Sequence, residues 1–239
     1  MLNITQVTEG RCTTKIVRRE VFGICLHTTG SGITTKAKKT GKLPIEVALK
    51  WYMQSQNGAN GYLWGGPTYV VDHDGSVYQL ADEDIVTHHC GSNLRAKFLD
   101  GSWVNLCDPK TVSLWFTKWT PRFKNPQCLF PSKSPNTDYV GVEMIPCGSG
   151  FGTPMDDGLK FSQKQHEAAK ALVAAIATRH NLPHNFNDPM VSGRLVGHED
   201  LQPISSKKSG YGRSDAGGGW DPGSLRDKPY FDFNFVRRL

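Results

Sequence analysis

The sequence lacks long apolar runs. Its 239 residues contain no uninterrupted apolar stretch of about 18 residues, the length that a helix needs to cross a membrane. The opening segment, MLNITQVTEG, has no basic cluster followed by an apolar stretch. We therefore expect no membrane span and no secretory signal, and we expect synthesis in the cytoplasm.

Closely spaced cysteine pairs are also missing. CxxC spacing does not occur, and a chain of this length can build a core without disulfide staples. We therefore expect free thiols and no zinc-ribbon site. The six cysteines are Cys12, Cys25, Cys90, Cys107, Cys128 and Cys147.

Charge of one sign is not concentrated in any segment. The chain has 28 lysines and arginines against 22 acidic residues, a formal net charge of +6, and these residues are dispersed. No nucleic-acid-binding motif accompanies the positive charge, so nucleic acid is not an expected partner. An anionic polymer is compatible with it.

Strand and helix patterns alternate along the chain, without an internal repeat. The predicted elements are a strand at 21–26, a helix from Pro44 to Asn57 after a lysine-rich loop, a hairpin of Tyr69–Val71 and Val77–Leu80 around Asp74-Gly75, a strand at Tyr139–Ile145, a helix from Ser162 to Asn181 and a short strand before His198. A capping-box pattern, Ser162 with Gln165, opens the long helix. We expect one α/β domain over 1–239, with a central mixed β-sheet flanked by helices.

Residues 92–135 interrupt this alternation. The segment is rich in aromatic residues, is broken by proline and glycine, and carries seven basic residues against two acidic ones. We interpret it as an irregular inserted subdomain. Its aromatic side chains either form a wall of a substrate site or pack the insertion itself, and the sequence does not choose between these roles.

Polar residues that bind metals stand at the ends or on the faces of three predicted strands. His27 ends the apolar run of GICLHTTG, Glu143 lies in YVGVEM, and His198 follows GRLVG. Asp221, in GWDPG, is a fourth candidate. Two histidines and an aspartate suit zinc, and a further glutamate suits proton transfer in zinc hydrolysis, but residue types alone are weak evidence.

The order of the motifs is more specific. An His-x-Thr strand end, the YVVDHDGSVYQL hairpin, H-x-G, YVGVEM, a long helix, VGHED and DPG follow one another. This order resembles the zinc-dependent N-acetylmuramoyl-L-alanine amidases, which include phage lysozyme-amidases, AmpD-type amidases and peptidoglycan recognition proteins. The resemblance covers roughly residues 20–91 and 136–223.

The resemblance implies an enzyme that hydrolyses the amide between the lactyl group of N-acetylmuramic acid and L-alanine in peptidoglycan. It places Zn²⁺ on His27, His198 and Asp221, with Glu143 as the catalytic carboxylate. His89, in THHCG, matches a histidine near the substrate cleft and is assigned to substrate binding. A surface-loop residue is the alternative for His89.

Three departures from the family pattern stand out. Gly219 occupies a position where many members carry a lysine or another group that steadies the oxyanion. Pro67 stands where phage lysozyme-amidases carry a catalytic tyrosine. Asp215 competes with Asp221 as the third ligand, although Asp221 is favoured by the DPG motif. The oxyanion could instead be stabilised by another side chain or by none. The candidate side chains are Arg213, Lys207, Lys208 and His89.

Rival functions are a peptidoglycan receptor without catalysis, a zinc hydrolase of another amide bond, and an amidase that recycles soluble muropeptides. The full ligand set and Glu143 argue against the receptor, and the insertion favours a polymer-facing enzyme. We expect a monomer that resembles a phage endolysin in function. It would act on the cell wall after release from the cytoplasm, the host's if the protein comes from a phage.

Overall fold

The computed structural model describes residues 2–7, 16–18, 20–29, 31–54, 66–89, 95–97, 103–105, 135–145, 161–186, 194–198 and 233–239. The strands are β1 (Ile4–Gln6), β2 (Gly23–Thr28), β3 (Tyr69–Val71), β4 (Val77–Gln79), β5 (Arg95–Lys97), β6 (Trp103–Asn105), β7 (Tyr139–Met144) and β8 (Leu195–Gly197). The helices are α1 (Ser31–Thr40), α2 (Pro44–Gln54), α3 (Pro135–Asp138), α4 (Gln163–Arg179) and α5 (Phe233–Arg237). None of the described helices is both long and apolar enough to span a membrane.

Six strands form one mixed sheet in the order β1-β4-β3-β7-β2-β8. Only the β3–β4 pair is antiparallel among them, and the others run parallel. The predicted α/β fold with a mixed central sheet is therefore confirmed. The predicted turn at Asp74-Gly75 is confirmed as well, and Gly75 has a φ of 88°, which glycine adopts without strain.

One face of the sheet is covered by α4. Alternate strand residues such as Ile24, Leu26 and Val142 point to this face, and Leu172 and Ile176 of α4 meet them with no exposed surface. Burying each such aliphatic side chain contributes about 1.5–3 kcal/mol. This packing fixes the strand register, and the register decides which residues appear on the opposite face.

The start of α4 is tied to the carboxyl ends of two strands. The hydroxyl of Ser162 accepts a 3.0 Å hydrogen bond from the backbone N–H of Gln165, so the predicted N-cap is confirmed. The Gln165 side chain is fully buried and donates to the carbonyls of Val71 and Ile145, at 3.0 and 2.9 Å. Gln165 therefore joins the helix to β3 and β7. In a capping box its side chain would bond to the backbone of Ser162, whereas here its nitrogen donates to the ends of these two strands.

The other face of the sheet is covered in part by α1 and α2. Ile33 of α1 and Ala48 of α2 pack with Val70 and Ile145 in a second buried cluster. The segment of α1 was predicted as a lysine-rich loop, and that prediction is wrong. The segment has one apolar helical face, formed by two buried residues four positions apart, Ile33 and Ala37. This face is enough for a short helix to pack on the sheet.

A network of hydrogen bonds centred on Glu83 lies at the amino end of the parallel strands. The carboxylate of Glu83 accepts hydrogen bonds from the Tyr69 hydroxyl at 2.8 Å, from Arg179 at 2.6 and 3.0 Å, and from His180 at 2.7 Å. Burial opposes the charge of Glu83, but the bonds from Arg179 and Tyr69 outweigh it, so the pKa of Glu83 is lowered. Buried Arg18 donates to the Glu83 carbonyl at 2.5 Å, and burial lowers the pKa of Arg18 to about 10.

Part of the predicted insertion lies within the described residues. Strands β5 and β6 pair as an antiparallel ribbon, with Arg95 opposite Asn105 and Lys97 opposite Trp103. The other residues of 92–134 lie outside the described part of the chain. The two proposed roles of the insertion stay predictions.

Candidate metal and catalytic site

His27 lies in β2, one residue before the strand ends, and only 2% of its surface is exposed. Its neighbours Leu26 and Ile24 point into the core beneath α4. Because successive strand residues alternate between faces, Leu26 on the core face places the His27 side chain on the opposite one. The apolar run therefore stops at an imidazole because this end of β2 faces a polar site rather than the core.

Glu143 lies beside His27 on the neighbouring strand. The two residues are register partners in the parallel β2–β7 pair, so their side chains leave the sheet on the same face. Adjacent strands are separated by roughly 5 Å. Glu143 is half-buried.

His198 reaches the same place from the other side of β2. Strand β8 pairs with β2 in a register that sets Gly197 opposite Leu26, and His198 follows directly. The His27 and His198 ring centroids are 4.4 Å apart, with 60° between the ring planes, and His198 is 4% exposed. Three of the predicted site residues therefore converge at the carboxyl end of the central strands.

His89 also joins this group, from the segment that follows β4. Its Nδ1 atom is 2.8 Å from Nε2 of His27, and its Nε2 atom is 3.0 Å from the carbonyl oxygen of Tyr139. The ring lies directly over Gly141. A Cβ atom at position 141 would stand 2.7 Å from Cβ and 2.8 Å from Cδ2 of His89, closer than carbon atoms approach. Gly141 therefore gives His89 the room to reach His27.

The backbone of His89 is held by a buried amide side chain. Asn136 of α3, 1% exposed, accepts a 3.0 Å hydrogen bond from the His89 N–H through its Oδ1 atom. Arg18 donates to the carbonyls of Asn136 and Tyr139, at 3.1 and 2.8 Å. Arg18 thus supports the two residues that His89 contacts.

Cys25 was predicted as a thiol outside any disulfide, and this is confirmed. It is fully buried and lies two residues before His27 on the same face of β2. One potential ligand atom from each of Cys25, His27 and His89 lies within 4.8 Å of the other two. The i, i+2 spacing of Cys25 and His27 on one strand was the signal in the sequence for their proximity.

Of the other residues singled out in the sequence for this site, only Pro67 lies within the described part of the chain. Pro67 lies just before β3 and is buried. The region that contains both candidate aspartates lies outside the described residues, so Asp221 as a ligand and Asp215 as its rival stay predictions. The same holds for Gly219 and for these possible oxyanion groups: Lys207, Lys208 and Arg213.

With this geometry in place, comparison with known proteins decides the family. The family profile described as N-acetylmuramoyl-L-alanine amidase matches residues 18–224. The chain belongs to this family. The match includes His27, Glu143 and His198. The amidase therefore acts on peptidoglycan, as the sequence resemblance implied.

Among the solved structures similar to this chain, two are described as N-acetylmuramoyl-L-alanine amidases and a third as AmpD. The endolysin amidase LysCS from Clostridium intestinale URNW has a TM-score of 0.44 at 13% identity, with 99% of this chain and 94% of that chain covered. LysC from the same organism has 0.44 at 13%, covering 99% and 96%. A selenomethionine derivative of AmpD has 0.45 at 16%, covering 99% and 94%. No curated protein sequence matches the amidase significantly.

Proposed function

We propose that this amidase is zinc-dependent and cleaves the polymer of the cell wall, in the manner of an endolysin, after release from the cytoplasm. The observation that carries the proposal is the convergence of two imidazoles and a carboxylate at one end of the sheet. His27 and His198 have ring centroids 4.4 Å apart, and Glu143 is the register partner of His27.

The donor set fits zinc. Imidazole nitrogen and carboxylate oxygen are both common zinc ligands, and a catalytic site uses three protein ligands. Buried His27 and His198 would supply two of them, and Asp221 is the proposed third. When bound, zinc would act as a Lewis acid towards the scissile carbonyl and would lower the pKa of an attacking water.

Glu143 has the position expected of the proton acceptor. It lies on the same sheet face as His27 and is half-buried, so a water beside His27 is within its reach. Glu143 would take the proton of the attacking water and return it to the leaving amine of L-alanine. Its carboxylate would also orient the water towards the amide carbon.

The positive charge of the protein supports a wall polymer as substrate. A net charge of +6 would attract an anionic glycan-peptide polymer. A half-exposed indole, Trp51 at 53% exposure, and the exposed lysines Lys38, Lys39 and Lys42 lie on the α1–α2 side of the sheet, the side to which His27 points. A small muropeptide would need little of this surface.

The decisive experiment measures zinc and product together. Purified protein is expected to hold about one zinc and to release L-alanine amino termini from peptidoglycan. His27→Ala and His198→Ala should lose both properties, whereas His184→Ala, at an exposed position, should keep both. Full zinc occupancy in the two site variants would contradict the ligand assignment.

Two further comparisons refine the proposal. Asp221→Ala should reduce zinc content far more than Asp215→Ala, and the reverse order would make Asp215 the ligand. Faster cleavage of intact wall polymer than of soluble muropeptide would support the endolysin role. A clear preference for muropeptide would instead favour a recycling amidase.

A further inference from the structure

Two contacts of His89, one with His27 and one with the Tyr139 carbonyl, set the proton positions on both rings when the rings are neutral. A carbonyl oxygen can only accept a hydrogen bond, so the 3.0 Å contact with the Tyr139 carbonyl requires a proton on Nε2 of His89. In the neutral ring, Nδ1 of His89 is then an acceptor. The 2.8 Å contact with Nε2 of His27 therefore makes His27 the donor, with its own proton on Nε2.

This arrangement decides which atom of His27 can bind a metal. A ring nitrogen that carries a proton has no lone pair to donate, so a metal on His27 must be bound through Nδ1. A metal-binding histidine commonly donates its other N–H to a nearby acceptor, and that contact orients the ring and raises its basicity. In this protein the acceptor is a second histidine rather than a carboxylate.

The separation of the two nitrogens argues against a metal between them. Two imidazole nitrogens on one tetrahedral zinc, each about 2.0–2.1 Å from the ion, stand about 3.3 Å apart. The observed 2.8 Å is a hydrogen-bond distance. We therefore interpret the contact between His27 and His89 as a hydrogen bond, and Cys25 as a neighbour of this pair.

We propose that His89 is a positioning residue, which accepts the Nε2 proton of His27 so that His27 presents Nδ1 to zinc. The inference rests on the proposed zinc dependence and gives His89 a role other than substrate binding. Two features hold the acceptor in place: the side chain of Asn136 on the His89 backbone, and the space above Gly141.

Three substitutions at one position separate this role from direct ligation. In His89→Asn the Oδ1 atom occupies the place of Nδ1 and can still accept from His27, whereas His89→Gln and His89→Ala lose that acceptor. We expect zinc affinity, measured by competition with a chelator, to fall about 10–100-fold in the glutamine and alanine variants and to stay within about threefold in the asparagine variant. His184→Asn, an exposed histidine, is the control and should match wild type.

Two results would overturn the inference. Loss of affinity in His89→Asn equal to that in His89→Ala would mean that the acceptor is not what matters. Wild-type affinity in His89→Ala would mean that His89 does not position His27.

A spectroscopic test uses the unmodified chain and does not depend on whether variants fold. Long-range ¹H–¹⁵N correlation spectra report which imidazole nitrogen carries a proton or a metal. The metal-free protein should show His27 and His89 both protonated on Nε2, and added zinc should give the largest ¹⁵N shift at Nδ1 of His27 while Nε2 of His27 keeps its proton. A larger zinc-induced shift at either nitrogen of His89, or loss of the Nε2 proton of His27, would refute the proposal.

The same spectra separate the two proposals. If zinc does not bind, the proposed function fails, yet the metal-free spectrum still decides the tautomers. A proton on Nδ1 of His27 in that spectrum would refute the positioning role by itself.

Discussion

The sheet has a polar cluster at each end, and the two are built on different principles. At the amino end Glu83 is surrounded by donors, with bonds of 2.6–3.0 Å from Arg179, Tyr69 and His180. At the carboxyl end the imidazoles of His27 and His198 face each other, 4.4 Å between ring centroids. In the first cluster each donor meets the carboxylate, whereas in the second two imidazoles meet each other and the carboxylate of Glu143 lies beside them.

The difference indicates which cluster is structural. A carboxylate with several hydrogen-bond donors stabilises the folded chain, because its partners offset the cost of burial. Two adjacent imidazoles add little stability, and they repel each other when both are protonated. A cation bound by both rings would offset this repulsion, which is the part that the proposed zinc would play at this end. The comparison can be tested by the same substitution, glutamate to glutamine, at each end.

The largest expected effect is that of Glu143→Gln. The change keeps shape and hydrogen bonding but removes basicity, so turnover should fall at least about a hundredfold, which is about 2.7 kcal/mol in the barrier. The free energy of unfolding should change by less than about 0.5 kcal/mol. The measurements are release of L-alanine amino termini per folded, zinc-loaded molecule, and urea unfolding. Near wild-type turnover would remove Glu143 from the mechanism, and lost stability with intact turnover would place it with Glu83.

Gly141→Ala should have the next largest effect, although it removes no metal-binding atom. The added methyl group would overlap the ring of His89 and displace it from His27. We expect zinc affinity to fall about tenfold or more.

Cys25→Ala is the matched counterpart of that glycine variant. It removes a potential metal-binding atom close to His27, yet zinc affinity should stay within about threefold if Cys25 only packs. Weak binding in Cys25→Ala, alongside weak binding in Gly141→Ala, would instead support a metal site on Cys25, His27 and His89.

Much of the carboxyl end could be predicted from sequence. Apolar alternation fixes which face of a strand enters the core, so the residue pattern alone was enough to assign Glu143 to the face opposite Val140, Val142 and Met144. His27 was predicted only to end its apolar strand, and a short strand was predicted before His198. The family resemblance then supplied their roles.

The amino end could not be predicted in this way. Arg18, Glu83 and Arg179 are far apart in sequence and belong to no repeating pattern, and only the packing of α4 across the sheet brings them together. The position of His89 above Gly141 was missed for a similar reason: the contact depends on a space, and sequence gives no direct sign of a space. A glycine within an otherwise apolar strand was the available signal.

Glu83→Gln is expected to act on stability alone. At neutral pH it should lower the free energy of unfolding by about 1–2 kcal/mol, because a carboxylate whose side chain is 10% exposed loses charged hydrogen bonds. The Arg179 contribution is discounted, since its side chain is 44% exposed. Turnover per folded molecule should match wild type. Glu167→Gln, an exposed position on α4, is the control. Lost turnover in folded Glu83→Gln would show that the two ends of the sheet are coupled.

The smallest effect, and the most direct test of why Glu83 is stabilising, is its pH dependence. Hydrogen bonds lower the pKa of Glu83 below its ordinary value of 4.5 in the folded state, against the opposing effect of burial. A carboxyl group whose pKa is lower in the folded than in the unfolded chain contributes stability above the unfolded value, and this contribution is lost as the pH falls through the folded value. The stability difference between wild type and Glu83→Gln should therefore shrink as the pH falls below 4.5. Other carboxyl groups titrate in both proteins, so the difference between the two urea midpoints, converted to free energy, isolates Glu83. A difference that grows on acidification would mean that the folded-state pKa of Glu83 is raised and that burial outweighs its three donors.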